Sequence, residues 1–130
     1  EGGKRPRSSM SPTIVLEHGK PKLAVGSPGG STIITTVLQI LVDRIDLGAT
    51  LPEAIAAPRA TQRNGETTSA EAAFIDSPEG QALQERGHKF TDGGEIGAAT
   101  GIEFLPGGKL LAAAEPERRG GGSAGVVRPW

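Results

Sequence analysis

Cysteine is absent from the 130 residues, which excludes disulfides and thiolate metal sites without choosing a redox compartment. Aromatic residues are almost absent as well, with three Phe, one Trp and no Tyr. Each aromatic side chain buries about 150–250 Å², so the largest single contributions to a core are missing. A chain of this length is already limited in the surface it can hide. Much of its apolar surface is therefore expected to be covered by polypeptide outside these residues. An excess of one charge sign is lacking too: 14 Lys and Arg face 15 Asp and Glu, for a net charge of -1. Lys4, Arg5 and Arg7 cluster, but Glu1 and the acidic second half leave no basic stripe for nucleic acid. No apolar run is long enough to span a membrane. His18 and His88 have no ligand spacing with each other or with carboxylates, so no metal and no other cofactor is expected.

What is abundant is glycine, at 20 residues, and proline, at 10. Residues 1–11 read as a polar, extended lead-in. Thr13–Glu17 is rich in β-branched residues and Lys22–Val25 returns after His18-Gly19-Lys20-Pro21, predicting a hairpin. Both runs are nearly continuous in apolar residues, which suits strands covered on both faces. From Ser31 to Leu47 the period changes. Thr32, Thr36, Gln39, Asp43 and Asp46 recur at spacings of three and four, and Ile34, Val37, Leu38, Leu41, Val42 and Ile45 fill the rest. That pattern predicts a helix with a narrow polar stripe and a broad buried face, closed by Gly48. Thr50-Leu51-Pro52-Glu53 has the form of a capping box before a short helix that stops near Pro58. Residues 60–69 read as a polar surface loop and 70–75 as a strand. Ser77-Pro78 opens a helix ending at Gly87. Pro106-Gly107-Gly108 joins 101–105 to 109–113 in a second hairpin. The expected class is mixed α and β, with two hairpins and about three helices.

The sharpest local feature is the strand–Gly26-Ser27-Pro28-Gly29-Gly30-Ser31–helix junction. Paired glycines permit backbone conformations that a Cβ forbids. The first amides of a helix lack intrahelical partners, so they can receive an anion or the charge developing on a carbonyl oxygen. The same spacing also suits a tight turn whose glycines only relieve crowding. It is not a nucleotide-binding loop, because Ser31-Thr32 stands where Lys-Ser/Thr is required. Nor does Pro28 allow the nucleophile elbow of an α/β-hydrolase. Ser8 and Ser9 are the second candidate: adjacent hydroxyls can donate to a carboxylate, or equally bond the local backbone. As nucleophiles they would need a base, and nothing ties His18 or His88 to them. Thr67 and Thr68 are internal, so neither can use its own amine as a base.

Two segments together carry a resemblance. Arg5-Pro6-Arg7-Ser8-Ser9-Met10-Ser11-Pro12-Thr13-Ile14 and Gly26-Ser27-Pro28-Gly29-Gly30-Ser31-Thr32-Ile33-Ile34 closely resemble two motifs of the γ-glutamyltransferase family, in family order and spacing. The similarity continues through Ala57-Pro58-Arg59 and, more loosely, through Glu115-Pro116-Glu117-Arg118-Arg119. It is strong over 4–59 and weak over 60–95. The resemblance implies that residues 1–130 are the C-terminal portion of a small, catalytic subunit within an αββα N-terminal-nucleophile hydrolase sandwich. It implies autocleavage of a precursor, with the large subunit and the rest of the small subunit as partners. An N-terminal threonine, expected upstream of Glu1, would attack a γ-glutamyl amide such as glutathione, and water or an amino acid or peptide would accept the glutamyl group. By motif position, Ser8 and Ser9 match the pair that binds the α-carboxylate, and Gly29 and Gly30 match the oxyanion-hole pair. A periplasmic or secreted parent is also implied. Arg7 and Thr32 depart from the family, standing where many members have a small apolar residue and an arginine. Two alternatives stay open: a non-catalytic homologue binding a γ-glutamyl peptide or a partner, and an acylase acting on cephalosporin side chains.

Overall fold

The structure, a computed structural model, describes residues 1–5 and 9–126. The hairpin foreseen near the N-terminus forms from β1 (Thr13–Glu17) and β2 (Lys20–Gly26), and β2 continues into the longest helix, α1 (Ile33–Ile45), through a 3-10 turn at Gly30–Thr32. The second hairpin is also present, as β6 (Thr100–Phe104) and β7 (Leu110–Ala114). The two hairpins join into one antiparallel sheet of order β1-β2-β6-β7.

Strand alternation puts Leu23, Val25 and Ala113 on one face of this sheet, where α1 and α2 (Leu51–Ala56) cover them. Gly101 lies in the same layer because a Cβ there would sit 3.3 Å from both methyls of Leu51. A small residue in the strand thus admits the helix. Glu103 shares the covered face and stays buried because Arg44 of α1 reaches it with two hydrogen bonds. The capping box of α2 forms as expected, with Thr50 N donating to Glu53 Oε2 at 2.8 Å and Glu53 N to Thr50 Oγ1 at 3.4 Å.

The opposite face is largely uncovered. Ile14, Leu16, Ile102, Phe104 and Leu110 are 41–67% exposed, and the register aligns Ile14, Ala24, Ile102 and Ala112 in one row across it. The apolar runs of β1 and β2 are therefore covered on one side only within the described residues.

Three expectations need correction. The helix predicted over 31–47 is regular α only at 33–45, and its inward face is not the broad apolar one. Thr36, Val37 and Ile40 are buried, while Ile34, Leu38, Val42 and Ile45 are exposed. Thr36 points inward because it packs on the backbone of Gly97, where a Cβ would come within 2.8 Å of its Oγ1. The loop predicted over 60–69 contains β3 (Ala60–Thr61) and the start of β4 (Thr68–Ala70). The strand predicted over 70–75 is instead the end of β4 followed by the one-turn helix α3 (Ala72–Ile75). Glu71 stands at this break, and its carboxylate accepts from Arg59 N at 3.0 Å and Ile96 N at 2.9 Å.

Helix α4 (Pro78–Glu85) starts at Ser77, whose Oγ accepts from Gly80 N at 3.0 Å. It leads to β5 (Phe90–Asp92), parallel to β4, so that β3, β4 and β5 form a second sheet with α3 and α4 as its crossover. Phe74 meets Phe90 edge-on at 5.8 Å and holds α3 over β5. No helix among the described residues is long and apolar enough to cross a membrane.

Candidate functional site

The end of β2 delivers Gly26 to the corner that precedes α1. Ser27 and Pro28 turn the chain. Gly29 then adopts φ 146° and Gly30 φ 57°, both in the region that L side chains avoid. A Cβ on Gly29 would also lie 2.8 Å from Thr32 Oγ1 and 3.4 Å from Gly97 Cα, whereas one on Gly30 would meet nothing within 4 Å. The corner is packed on one side and open on the other.

Around this corner three consecutive carbonyls each receive a side-chain hydroxyl. Ser27 Oγ donates to Pro28 O at 2.6 Å, Thr32 Oγ1 to Gly29 O at 3.0 Å, and Ser9 Oγ to Gly30 O at 2.5 Å. Thr32 N adds a second bond to Gly29 O at 3.2 Å. The amides of Gly29 and Gly30 have no hydrogen-bond partner among the described residues. The bond from Ser9, 21 residues upstream, brings the two motifs of the sequence into contact. Ser8 lies outside the described residues.

Behind the corner runs the segment Glu95–Ala99. Ala98 N donates to Ser27 Oγ at 3.1 Å, and Gly97 fits between Ser27 and Thr36, where a Cβ would lie 2.8 Å from each hydroxyl. Ile96 is gripped at both backbone groups: its N–H by Glu71, and its carbonyl by Arg59 Nη1 at 2.7 Å.

Arg59 and Glu71 belong to a set of two cations and two carboxylates in which Arg59, Glu115 and Arg118 are buried and Glu71 half-buried. Arg59 Nη2 pairs with Glu115 Oε2 at 3.0 Å, and Arg118 Nη1 with Glu115 Oε1 at 2.9 Å. Arg118 also forks onto Glu71, at 2.5 Å from Nε and 2.6 Å from Nη2. Burial pushes the Arg59 guanidinium down and the neighbouring Arg118 adds to this, against the pull of Glu115 and Glu71. Burial pushes the Glu71 carboxyl up, but the hydrogen bonds from Arg118, Ile96 N and Arg59 N outweigh it, leaving Glu71 below its usual range. Glu115 and Arg118 come from the stretch after β7, so this set ties the chain's end to the segment behind the corner.

Neither histidine joins the site. His18 occupies the β1–β2 turn, at the far end of a seven-residue strand from the corner, a distance of about 20 Å at 3.3 Å per residue. His88 is exposed ahead of β5. Among the described residues the corner therefore holds hydrogen-bond donors and no histidine. Sequence reasoning placed Ser27 in the junction without giving it a role, and missed Gly97. Gly97 carried a signal, because an isolated glycine beside a strand often marks close backbone approach.

A profile of the family described as Gamma-glutamyltranspeptidase matches residues 1–126. The chain belongs to the gamma-glutamyltranspeptidase family. It is 44% identical over 115 residues to the glutathione hydrolase proenzyme of Escherichia coli K12, covering 87% of this chain and 20% of that protein. To the acylase ACY 1 proenzyme of Pseudomonas sp. SE83 it is 38% identical over 113 residues, covering 86% and 20%. Among solved structures, a gamma-glutamyltranspeptidase from Pseudomonas nitroreducens complexed with L-DON superposes with a TM-score of 0.84 at 33% identity, covering 98% of this chain and 67% of that one. The fold is thus the α+β fold of the gamma-glutamyltranspeptidases. The chain spans about one fifth of the length of these two curated relatives.

Proposed function

We propose that this chain is the C-terminal portion of the small subunit of a γ-glutamyl transferase or hydrolase, and that it supplies half of that enzyme's site. The observation that carries this reading is the contact of Ser9 with the carbonyl of Gly30, beside two amides that have no partner among the described residues. Gly29 N–H and Gly30 N–H receive the carbonyl oxygen of the scissile γ-amide. Ser8 and Ser9 hold the α-carboxylate of the same glutamyl group. To do so, the Ser9 hydroxyl turns from Gly30 O to the ligand, a rotation that an anionic acceptor favours over a neutral one.

The nucleophile comes from a threonine outside this chain, with its own amine as the base. Its oxygen bonds to the carbonyl carbon of the γ-amide while its proton passes to that amine, and the carbonyl electron pair moves onto the oxygen facing Gly29 and Gly30. Collapse expels the amine leaving group, which takes the proton, and leaves an acyl ester. Water or an acceptor amine then attacks the ester through the same oxyanion. Donors that strengthen only as charge develops lower the barrier and leave ground-state binding unchanged. The largely uncovered face of the first sheet, with Ile14, Leu16, Ile102, Phe104 and Leu110, is the surface on which the rest of the subunit packs.

The purified 130-residue chain is expected to give no turnover of a γ-glutamyl anilide, and turnover would refute the reading. In the parent protein, Ser8→Ala with Ser9→Ala removes hydrogen bonds to a charged group, worth about 1.5–3 kcal/mol each. KM for glutamyl donors should rise at least about tenfold, and an unchanged KM would remove the two serines from the site. A second reading, an acylase with a different acyl donor such as a cephalosporin side chain, is favoured by the likeness to the acylase ACY 1 proenzyme. Comparing kcat/KM for the two donor classes separates them.

A further inference from the structure

We propose that Ser27 and Thr32 are positioning residues that aim the Gly29 and Gly30 amides, an inference that rests on the oxyanion reading above. A peptide unit is planar, so its C=O and the N–H of the next residue point in opposite directions within one plane. Holding a carbonyl therefore sets the direction of the amide behind it. The Pro28 carbonyl is held by Ser27 Oγ, which aims the amide of Gly29. The Gly29 carbonyl is held by both Oγ1 and N of Thr32, which aims the amide of Gly30.

Without these bonds the diglycine would be the most pliable point of the loop, since glycine populates both signs of φ freely. Ser27 is itself fixed. Its oxygen accepts from Ala98 N, and the preceding Ile96 is held by Glu71 and Arg59. Thr32 is fixed by its place in the 3-10 turn that enters α1. The hydroxyls thus act through the backbone and do not touch the substrate.

Deleting a full oxyanion donor costs about 10²–10³ in rate. A donor left in place but free to swing should lose a smaller part of that. In the matured parent enzyme, Thr32→Val keeps the shape of the side chain and removes its hydroxyl, whereas Thr32→Ser keeps the hydroxyl. The expected result for Thr32→Val is a kcat lower by about tenfold with KM for the γ-glutamyl donor unchanged, and Thr32→Ser restores kcat. Ser27→Ala gives the same split, which keeps the test open should either variant fail to mature. The proposal is overturned if Thr32→Val and Ser27→Ala keep wild-type kcat, if the loss falls on KM, or if Thr32→Ser is as impaired as Thr32→Val. The underlying reading is checked apart from this, in the unmutated enzyme carrying a tetrahedral adduct of a glutamine analogue. An adduct oxygen on Gly29 N and Gly30 N beside an unimpaired Thr32→Val sinks the positioning role alone, and an adduct oxygen elsewhere sinks both.

Discussion

Replacing Arg59 by Met keeps most of the side chain's volume and removes a guanidinium that is 0% exposed. The loss leaves three acceptors short. Ile96 O and Ile55 O lose their donors from Arg59, and Glu115 Oε2 loses its ion-pair partner, so that Glu115 keeps only Arg118. A balanced set of two cations and two carboxylates becomes net negative where Glu115 is almost fully buried. Breaking a buried pair by removing one member costs about 3–5 kcal/mol, most of it from the charge left behind. Replacing Glu115 by Gln as well restores neutrality. The double variant Arg59→Met with Glu115→Gln should therefore be less damaged than the sum of the singles by about 1–3 kcal/mol. Amide hydrogen exchange in the folded parent protein reads this locally, in peptides covering 55–60 and 94–99. A local loss of 3 kcal/mol lowers protection about 100-fold. The reasoning is refuted if Arg59→Met changes protection there less than about fivefold, a loss of under about 1 kcal/mol, or if the two substitutions add without coupling.

Other perturbations test the supports of the same corner. The Glu71 carboxyl sits below its ordinary 4.5. It therefore contributes stability that is present above the unfolded value and lost as pH falls through the folded one. Glu71→Gln should flatten the acid limb of a melting-temperature profile below about pH 4.5, and an unaltered limb would count against it. Thr36 Oγ1 is buried with no partner among the described residues, so Thr36→Val should raise stability to urea by about 1 kcal/mol, and a loss of that size would reveal a partner. Gly97→Ala forces a Cβ to 2.8 Å from both Ser27 Oγ and Thr36 Oγ1 at a φ of +71°. It should lower kcat more than it raises KM, and wild-type kinetics would show that the segment behind the corner does not support it.

The parts of this fold that were legible in the sequence are those set by a few adjacent residues. Thr50 and Glu53 announce a capping box because both partners lie within one turn, and Ser77-Pro78 announces a helix start for the same reason. The two hairpins follow from turn chemistry at His18-Gly19 and at Pro106-Gly107-Gly108. What could not be read are pairings across long separations. β3, β4 and β5 have two or three residues each, too few for a period to show, and β5 joins this sheet because α3 and α4 carry the chain back beside β4. The periodicity of α1 gave its helical character correctly but not which side faces in. That choice depends on Gly97, more than fifty residues downstream, offering room for Thr36. The site divides in the same way. Paired glycines before a helix suited both an amide corner and a plain tight turn, and nothing local to Ser27 showed that Ala98 would dock on it. Arg59, Glu71, Glu115 and Arg118 are each visible as charged residues, and only the fold reveals that they meet.

The most direct test of the half-site is a crystal structure of the matured parent enzyme bearing a covalent tetrahedral adduct of a glutamine analogue. The adduct oxygen should lie about 2.7–3.1 Å from both Gly29 N and Gly30 N, with the ligand's α-carboxylate on the hydroxyls of Ser8 and Ser9. An adduct whose oxygen is held by other donors, or whose carboxylate is bound away from those serines, would contradict it.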